Sequence, residues 1–180
     1  YQKYHDYLNK DAIKESKDGD GIFRFPNLHY TLSTEDSKAI FKANPRKIIM
    51  AGSGMSTGGR ILHHEKAYLS DPNSTLLLVG YQGVGTLGRI IQAGAKSIRI
   101  FGEEIAVKAR IFNITGYSGH KDSDHLLDFV HQTADTVKQI FVVMGEPKAS
   151  LFLVQRIRDY LGLNTRSPKA GEVVELKWEV

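Results

Sequence analysis

The chain has 180 residues, a formal net charge of +4, 41% apolar and 24% charged residues, and no cysteine. This length suits one domain, or one and a half, with an interior that needs no covalent staples, and the composition argues against disorder. The missing thiols exclude disulfide frameworks, Cys-ligated zinc, iron–sulfur clusters and a thiol nucleophile, and they fit a reducing, cytoplasmic setting.

No apolar run reaches the roughly 18 residues that span a membrane, so no membrane partner is expected. The polar, aromatic start from Tyr1 to Lys10 lacks the form of a secretory leader, and a first residue of Tyr1 reads as a piece of a longer protein. The mild positive charge suits an anionic partner.

In chain order, the charged run up to residue 17 reads as a helix, with a turn at Lys17-Asp18-Gly19-Asp20-Gly21 and a short apolar step from Ile22 to Pro26. Ser33 to Ser37 opens a second helix with a capping hydroxyl and acidic residues in its first turn. Lys47 to Ala51 is a short, continuously apolar strand followed by the glycine-rich stretch Gly52 to Gly59. A helix from about Arg60 to Leu69 stops at Asp71-Pro72. Thr75 to Val79 is the next strand, Gly80 to Gly85 a second glycine-rich turn, Thr86 to Gln92 a short helix ending at Gly94, and Ser97 to Phe101 a third strand. Apolar strands alternating with helices predict an α/β fold, its sheet mostly parallel with helices on both faces.

After Gly102 the pattern changes. Ile105 to Ile114 alternates like an antiparallel strand, and Asp122 caps a helix over Ser123 to Thr133 with Leu126, Leu127, Val130 and Ala134 inward. Ile140 to Met144 is a buried strand. Leu151, Val154, Ile157 and Leu161 form a helical stripe that ends at Gly162. Val174, Leu176, Trp178 and Val180 alternate with charges as a half-exposed terminal strand.

Glycines between a strand and a helix let backbone N–H groups approach an anion, and Arg60 adds charge to the first loop. The spacing is neither GxGxxG nor a Walker motif, so a nucleoside triphosphate is not expected, and a plain tight turn is the other reading. The second loop repeats this arrangement at the next strand's end. There Tyr81 either stacks on a base or covers the sheet edge. His63 and His64 are adjacent on one helix, and His125 and His131 are six apart, so neither pair has chelating spacing. His120, in Tyr117-Ser118-Gly119-His120-Lys121-Asp122, sits in a turn of small residues. It is either an ordinary surface histidine or a proton donor, with Asp122 capping the helix or orienting the ring.

Ala51-Gly52-Ser53-Gly54-Met55 with Gly58-Gly59-Arg60, then Gly80-Tyr81-Gln82 with Gly85-Thr86-Leu87-Gly88-Arg89, then Gly116 to Asp122, then Met144-Gly145-Glu146-Pro147 stand in this order. Together they resemble the β-CASP metallo-β-lactamase-fold nucleases, a family of RNA-processing enzymes. The resemblance runs from about Leu28 to Leu176.

The resemblance implies that residues 1–104 are the later part of a β-CASP domain. Residues 105–180 then return to a metallo-β-lactamase-like fold. It implies a parent that hydrolyses phosphodiester bonds of single-stranded RNA with two zinc ions. His120 falls on the family's motif B histidine, the catalytic group at the scissile phosphate. Ser53, Gly54, Met55, Gly58, Gly59, Arg60, Thr86, Arg89 and Ser118 fall where RNA phosphates bind, with Asp122 and Glu146 in support. Met144 occupies the motif C position, usually a metal-ligating histidine, and a thioether suits zinc poorly. The family's HxHxDH segment is absent, so no zinc is expected on this chain alone and the chain is expected to be inactive by itself. Its partners are then RNA and the missing N-terminal half of the catalytic fold, with a homodimer as a further option. The alternative is a non-catalytic RNA- or nucleotide-binding module, or a scaffold with a degenerate metal site.

Overall fold

The computed structural model describes residues 7–17 and 25–176. The chain divides into two compact units, residues 1–51 and 52–180. The turn expected after Lys17 and most of the step from Ile22 to Pro26 lie outside the described residues.

In the first unit, helix α1 (Lys10–Lys17) starts where the Asn9 side chain accepts the Ala12 N–H at 2.8 Å. Helix α2 (Thr34–Ala39) opens on the expected cap. Ser33 Oγ accepts the Asp36 N–H at 3.0 Å, and Asp36 Oδ2 accepts the Ser33 N–H at 3.0 Å. Two orphan donors are thus satisfied reciprocally. A 3₁₀ turn, Ile40–Lys42, follows. Lys47 Nζ then donates to the Ile40 and Ala43 carbonyls, at 2.7 and 3.2 Å. The strand expected over Lys47 to Ala51 does not form a ladder among the described residues, and Ile48 is 90% exposed. An apolar run signals a need for burial, but strand structure also requires a neighbour to pair with.

The second unit contains α3 (Ile61–Tyr68), β1 (Thr75–Val79), α4 (Leu87–Gln92), β2 (Ser97–Ile100), β3 (Glu103–Ala106), β4 (Arg110–Ile114), α5 (Ser123–His131), β5 (Ile140–Phe141), α6 (Pro147–Leu161) and β6 (Thr165–Arg166). Strand β1 pairs with β4 in parallel, Thr75 opposite Arg110 and Val79 opposite Ile114, and β5 pairs with β6 in parallel. This is the expected α/β class, with two differences in detail. Strand β2 pairs antiparallel with β3. Phe101 and Gly102 both have positive φ, 51° and 82°, as a two-residue primed turn demands, so the chain reverses there instead of crossing over. The expected antiparallel strand over Ile105 to Ile114 is broken into β3 and β4, and β4 runs parallel to its neighbour.

The core gathers Leu69, Ile91, Ile98, Ile100 and Ala109, with Leu62, Leu76 and Leu87 packed against it. Near the other end of the unit, Val130 of α5 and Val154 and Ile157 of α6 are buried, and α6 ends on Gly162 at φ 66°. Leu126 and Leu151, expected inward, are exposed. The buried strand expected over Ile140 to Met144 shrinks to two paired residues, and Met144 is fully exposed with a left-handed φ of 66°. Residues 172–176 join no ladder, and the rest of the expected terminal strand lies outside the described residues.

Candidate nucleic-acid interface

Strands β1 and β4 end level with each other, and the Gly80 N–H donates to the Ile114 carbonyl at 2.7 Å. Two segments therefore leave from one sheet edge, the carboxyl ends of parallel strands, where open α/β sheets bind ligands. One is the second glycine loop, residues 80–86. The other is the turn 115–122 that carries Ser118, His120 and Asp122.

The first glycine loop is stitched to the second. Gln82, buried after β1, donates from Nε2 to the Gly54 carbonyl at 2.9 Å. The Gly88 N–H donates to the Met55 carbonyl at 2.9 Å. A Cβ on Gly88 would stand 1.9 Å from Gln82 Oε1, so only glycine lets α4 approach this closely. The two loops that the sequence presents separately form one surface.

Within the first loop the backbone turns left-handed at Ser53, Ser56 and Gly59, with φ of 64°, 55° and 73°. Non-glycine residues hold such angles only where their surroundings fix them. Here the Ser56 N–H bonds to the Ser53 carbonyl at 2.8 Å, and Ser53 Oγ lies 3.2 Å from Thr57 Oγ1. The Ser56 hydroxyl, itself buried, donates to Glu65 Oε1 at 2.5 Å. Burial pushes the Glu65 carboxyl above its usual range, opposed by that hydrogen bond. Gly54, Met55, Gly58 and Gly59 form the exposed or half-exposed rim, and Arg60 begins α3 at its end.

In the second loop the Thr86 hydroxyl donates to the Gly83 carbonyl at 2.7 Å and accepts the Arg89 N–H at 3.3 Å. It is committed to capping α4. Arg89 reaches the Gln82 carbonyl at 3.0 Å and lies 3.7 Å from Glu146 Oε1. Tyr81 Oη donates to the same Glu146 oxygen at 2.5 Å.

His120 is exposed, its backbone N–H donating to Ser118 Oγ at 3.2 Å. Asp122 caps α5, accepting the His125 N–H at 2.9 Å, and lies 2.7 Å from His125 Nδ1. The His125 backbone N–H, then its ring, holds the Asp122 carboxyl below its usual range. Of the two roles open to Asp122, the structure shows the cap, and the ring it meets is that of His125. Among the described residues the His120 imidazole makes no hydrogen bond.

Zinc fits these residues poorly. Among the described residues no three His, Asp or Glu side chains gather as a metal site. His63 stacks on Phe101 at 4.7 Å, His125 is taken by Asp122, and position 144 offers a thioether. Sequence reading missed Gln82 and Glu65 as the residues that hold the loops. The signal for Gln82 was a polar side chain within a glycine-rich run; Glu65, among His63, His64 and Lys66, carried none, and only the fold shows what it touches.

Residues 1–91 match the family model of the Beta-Casp domain, and residues 104–168 match that of the Zn-dependent metallo-hydrolase RNA specificity domain. Ribonuclease TTHA0252 of Thermus thermophilus is 38% identical over 153 residues, 85% of this chain and 35% of its own length. Transcription termination factor FttA of Pyrococcus abyssi is 32% identical over 180 residues, 97% of this chain and 28% of its own. The protein of that name from Methanosarcina mazei is 34% identical over 177 residues, 95% of this chain and 28% of its own. The chain thus spans about a third of the length of these relatives.

Proposed function

The chain belongs to the β-CASP family of RNA-processing nucleases, and from that premise we propose that it forms the RNA-holding part of a ribonuclease acting on single-stranded RNA. One observation carries this reading. The two stitched glycine loops and the His120 turn meet the edge of the β1–β4 sheet where ligands bind.

In this proposal the backbone N–H groups of Ser53, Gly54, Met55, Gly58 and Gly59 face phosphate oxygens. Arg60 and Arg89 supply charge, and Thr86 holds the second loop in shape. Ser118 steadies the His120 turn, Asp122 supports that turn from the start of α5, and Glu146 supports the second glycine loop from the start of α6. Hydrolysis adds water across a P–O bond, and the departing oxygen must gain a proton. The His120 imidazole is the group on this chain assigned to deliver it.

The proposal divides the chain into a β-CASP part, 1–104, and a metallo-β-lactamase-like part, 105–180. It assigns two zinc ions to the full-length enzyme, with ligands from other parts of the protein, and a cytoplasmic location. The chain alone is then inactive. Leu77, Val79 and Phe112 leave the β1–β4 pair half-exposed, although parallel strands are normally covered on both faces. That fits a covering N-terminal half of the catalytic fold, or a second copy of the chain.

A second reading has one observation in its favour. Met144 stands fully exposed where a ligating histidine is expected, which favours a binding module or scaffold that has lost catalysis. The deciding experiment is cleavage of 5′-labelled single-stranded RNA by the full-length protein and by this chain, with zinc or manganese and with chelator. Chelator-sensitive cleavage by the full-length protein alone supports the ribonuclease. Salt-dependent RNA binding without cleavage by either supports the module. Absence of both binding and cleavage overturns both readings.

A further inference from the structure

Glu146 is the first residue before α6, at its N-cap, yet its side chain caps nothing there. Short side chains such as Asp or Ser cap helix N–H groups from that position, whereas the longer Glu146 reaches past them. It turns to the second glycine loop, where it accepts from Tyr81 Oη at 2.5 Å and lies 3.7 Å from Arg89 Nη2. Arg89 is itself fixed on the Gln82 carbonyl at 3.0 Å.

On the other side of the turn, Gly145 leans on the buried Ser150, whose Oγ stands 2.6 Å from where a Gly145 Cβ would be. The residue directly before these two anchors, three places after the end of β5, is Met144, left-handed and wholly in solvent. An exposed side chain with no packing cannot hold its own backbone at a positive φ. The strain must be held by its neighbours. Gly145 on Ser150 is one anchor, and the Tyr81–Glu146 bond is the other.

We infer that Tyr81 is a positioning residue: through Glu146 it fixes the strained turn that presents position 144, and so ties that turn to the glycine loops. The inference rests on the reading of those loops as the RNA site for its purpose, but its geometry stands without it. The phenol's donor is spent on Glu146, while the residue stays 56% exposed. The bond holds the phenol's proton above its ordinary range.

The test compares Tyr81→Phe, Glu146→Gln and the double variant in the full chain, by deuterium exchange of the amides in residues 143–150. Each single variant should exchange there roughly two- to tenfold faster, the effect of one net hydrogen bond on a local opening. The double variant should go no faster than the faster single one. The phenolate absorbance that Tyr81→Phe removes should titrate at lower pH in the Glu146→Gln background than in wild type, a signature that loss of packing alone does not produce. Unchanged exchange at 143–150 in Tyr81→Phe, or additive acceleration in the double variant, overturns the inference. Wild-type protein that binds no labelled single-stranded RNA overturns the proposed function, while the exchange result still decides the role of Tyr81.

Discussion

Gln82 and Gly88 fit each other only because Gly88 has no side chain: the Gln82 amide oxygen occupies a point 1.9 Å from the missing Cβ. The Met55 carbonyl lies 3.0 Å from the same point, so a methyl group there meets backbone as well as side chain. Gly88→Ala should therefore cost about 1–3 kcal/mol, the usual range for overpacking. At this chain length that lowers Tm by roughly 2–4 °C per kcal/mol. Gly116→Ala, with nothing within 4 Å of its Cβ, should leave Tm unchanged. Thermal unfolding of the two variants side by side checks the contrast, and equal Tm values would show that the loops are not held by this contact.

Ser56 and Glu65 form the buried hydrogen bond beneath the first loop, and among the described residues Glu65 Oε2 has no partner. Glu65→Gln keeps an acceptor for Ser56 and removes the buried charge. Burial raises the folded carboxyl above its ordinary value of 4.5, so the folded state holds the proton more tightly. The stability linked to it is full below 4.5 and is lost as pH rises through the folded value. Glu65→Gln should then raise Tm at neutral pH, with the gain closing below pH 4.5. Ser56→Ala should lower Tm at every pH, by about 1–3 kcal/mol of stability, because it strands a buried acceptor. A Glu65→Gln gain that persists at low pH would mean burial is not what perturbs the acid.

Asp122 shows the opposite sign. Its carboxyl is held below the ordinary value of 3.8, mainly by the His125 backbone N–H. Its contribution is present above 3.8 and is lost as pH falls through the folded value. Asp122→Ala should lower Tm and α5 helicity at neutral pH, and the difference from wild type should shrink below pH 3.8. Asp122→Asn, still a cap, should recover most of the loss. Circular dichroism melts across pH check this.

Local signals in the sequence carried much of the fold. The Ser33–Asp36 capping box and the Gly162 stop depend on neighbours a few residues away. The sense of β2 was not legible, because it turns on Phe101 taking a positive φ, which a bulky residue rarely does. Lys47 to Ala51 misled for a different reason: it has the apolar pattern of a buried strand, but pattern does not supply a pairing partner. At the site, the glycine loops stood out as anion cradles. Their joining did not, since the Gln82–Gly54 bond spans 28 positions and only the fold closes that gap. Nor was the engagement of Glu146 with Tyr81 legible, because the two stand 65 positions apart.

Salt dependence separates the charges at the interface. If Arg60 and Arg89 each meet one phosphate of single-stranded RNA, replacing either with Ala should flatten the slope of log K against log salt by about 0.7. Arg89→Ala should also release Glu146, so its loss of affinity should exceed that of Arg60→Ala by an amount the Tyr81→Phe background removes. Fluorescence anisotropy with labelled RNA over a salt series measures both quantities. Parallel slopes for wild type and both variants would place the phosphates elsewhere.

His120 should behave unlike the arginines. It sits in solvent on the turn after β4, and its ring is tied to no other described residue. Removing it therefore disturbs no packing, and His120→Ala should leave Tm and RNA affinity near wild type. If the imidazole protonates the departing oxygen, turnover by the full-length protein should fall by roughly 10²–10⁴, the range for a lost general acid. RNA with a leaving group that needs no proton, such as a nitrophenyl phosphodiester, should regain most of the lost rate in the variant. That rescue is the sharpest check: a variant equally slow on both substrates would mean that His120 binds or orients phosphate and does not supply the proton.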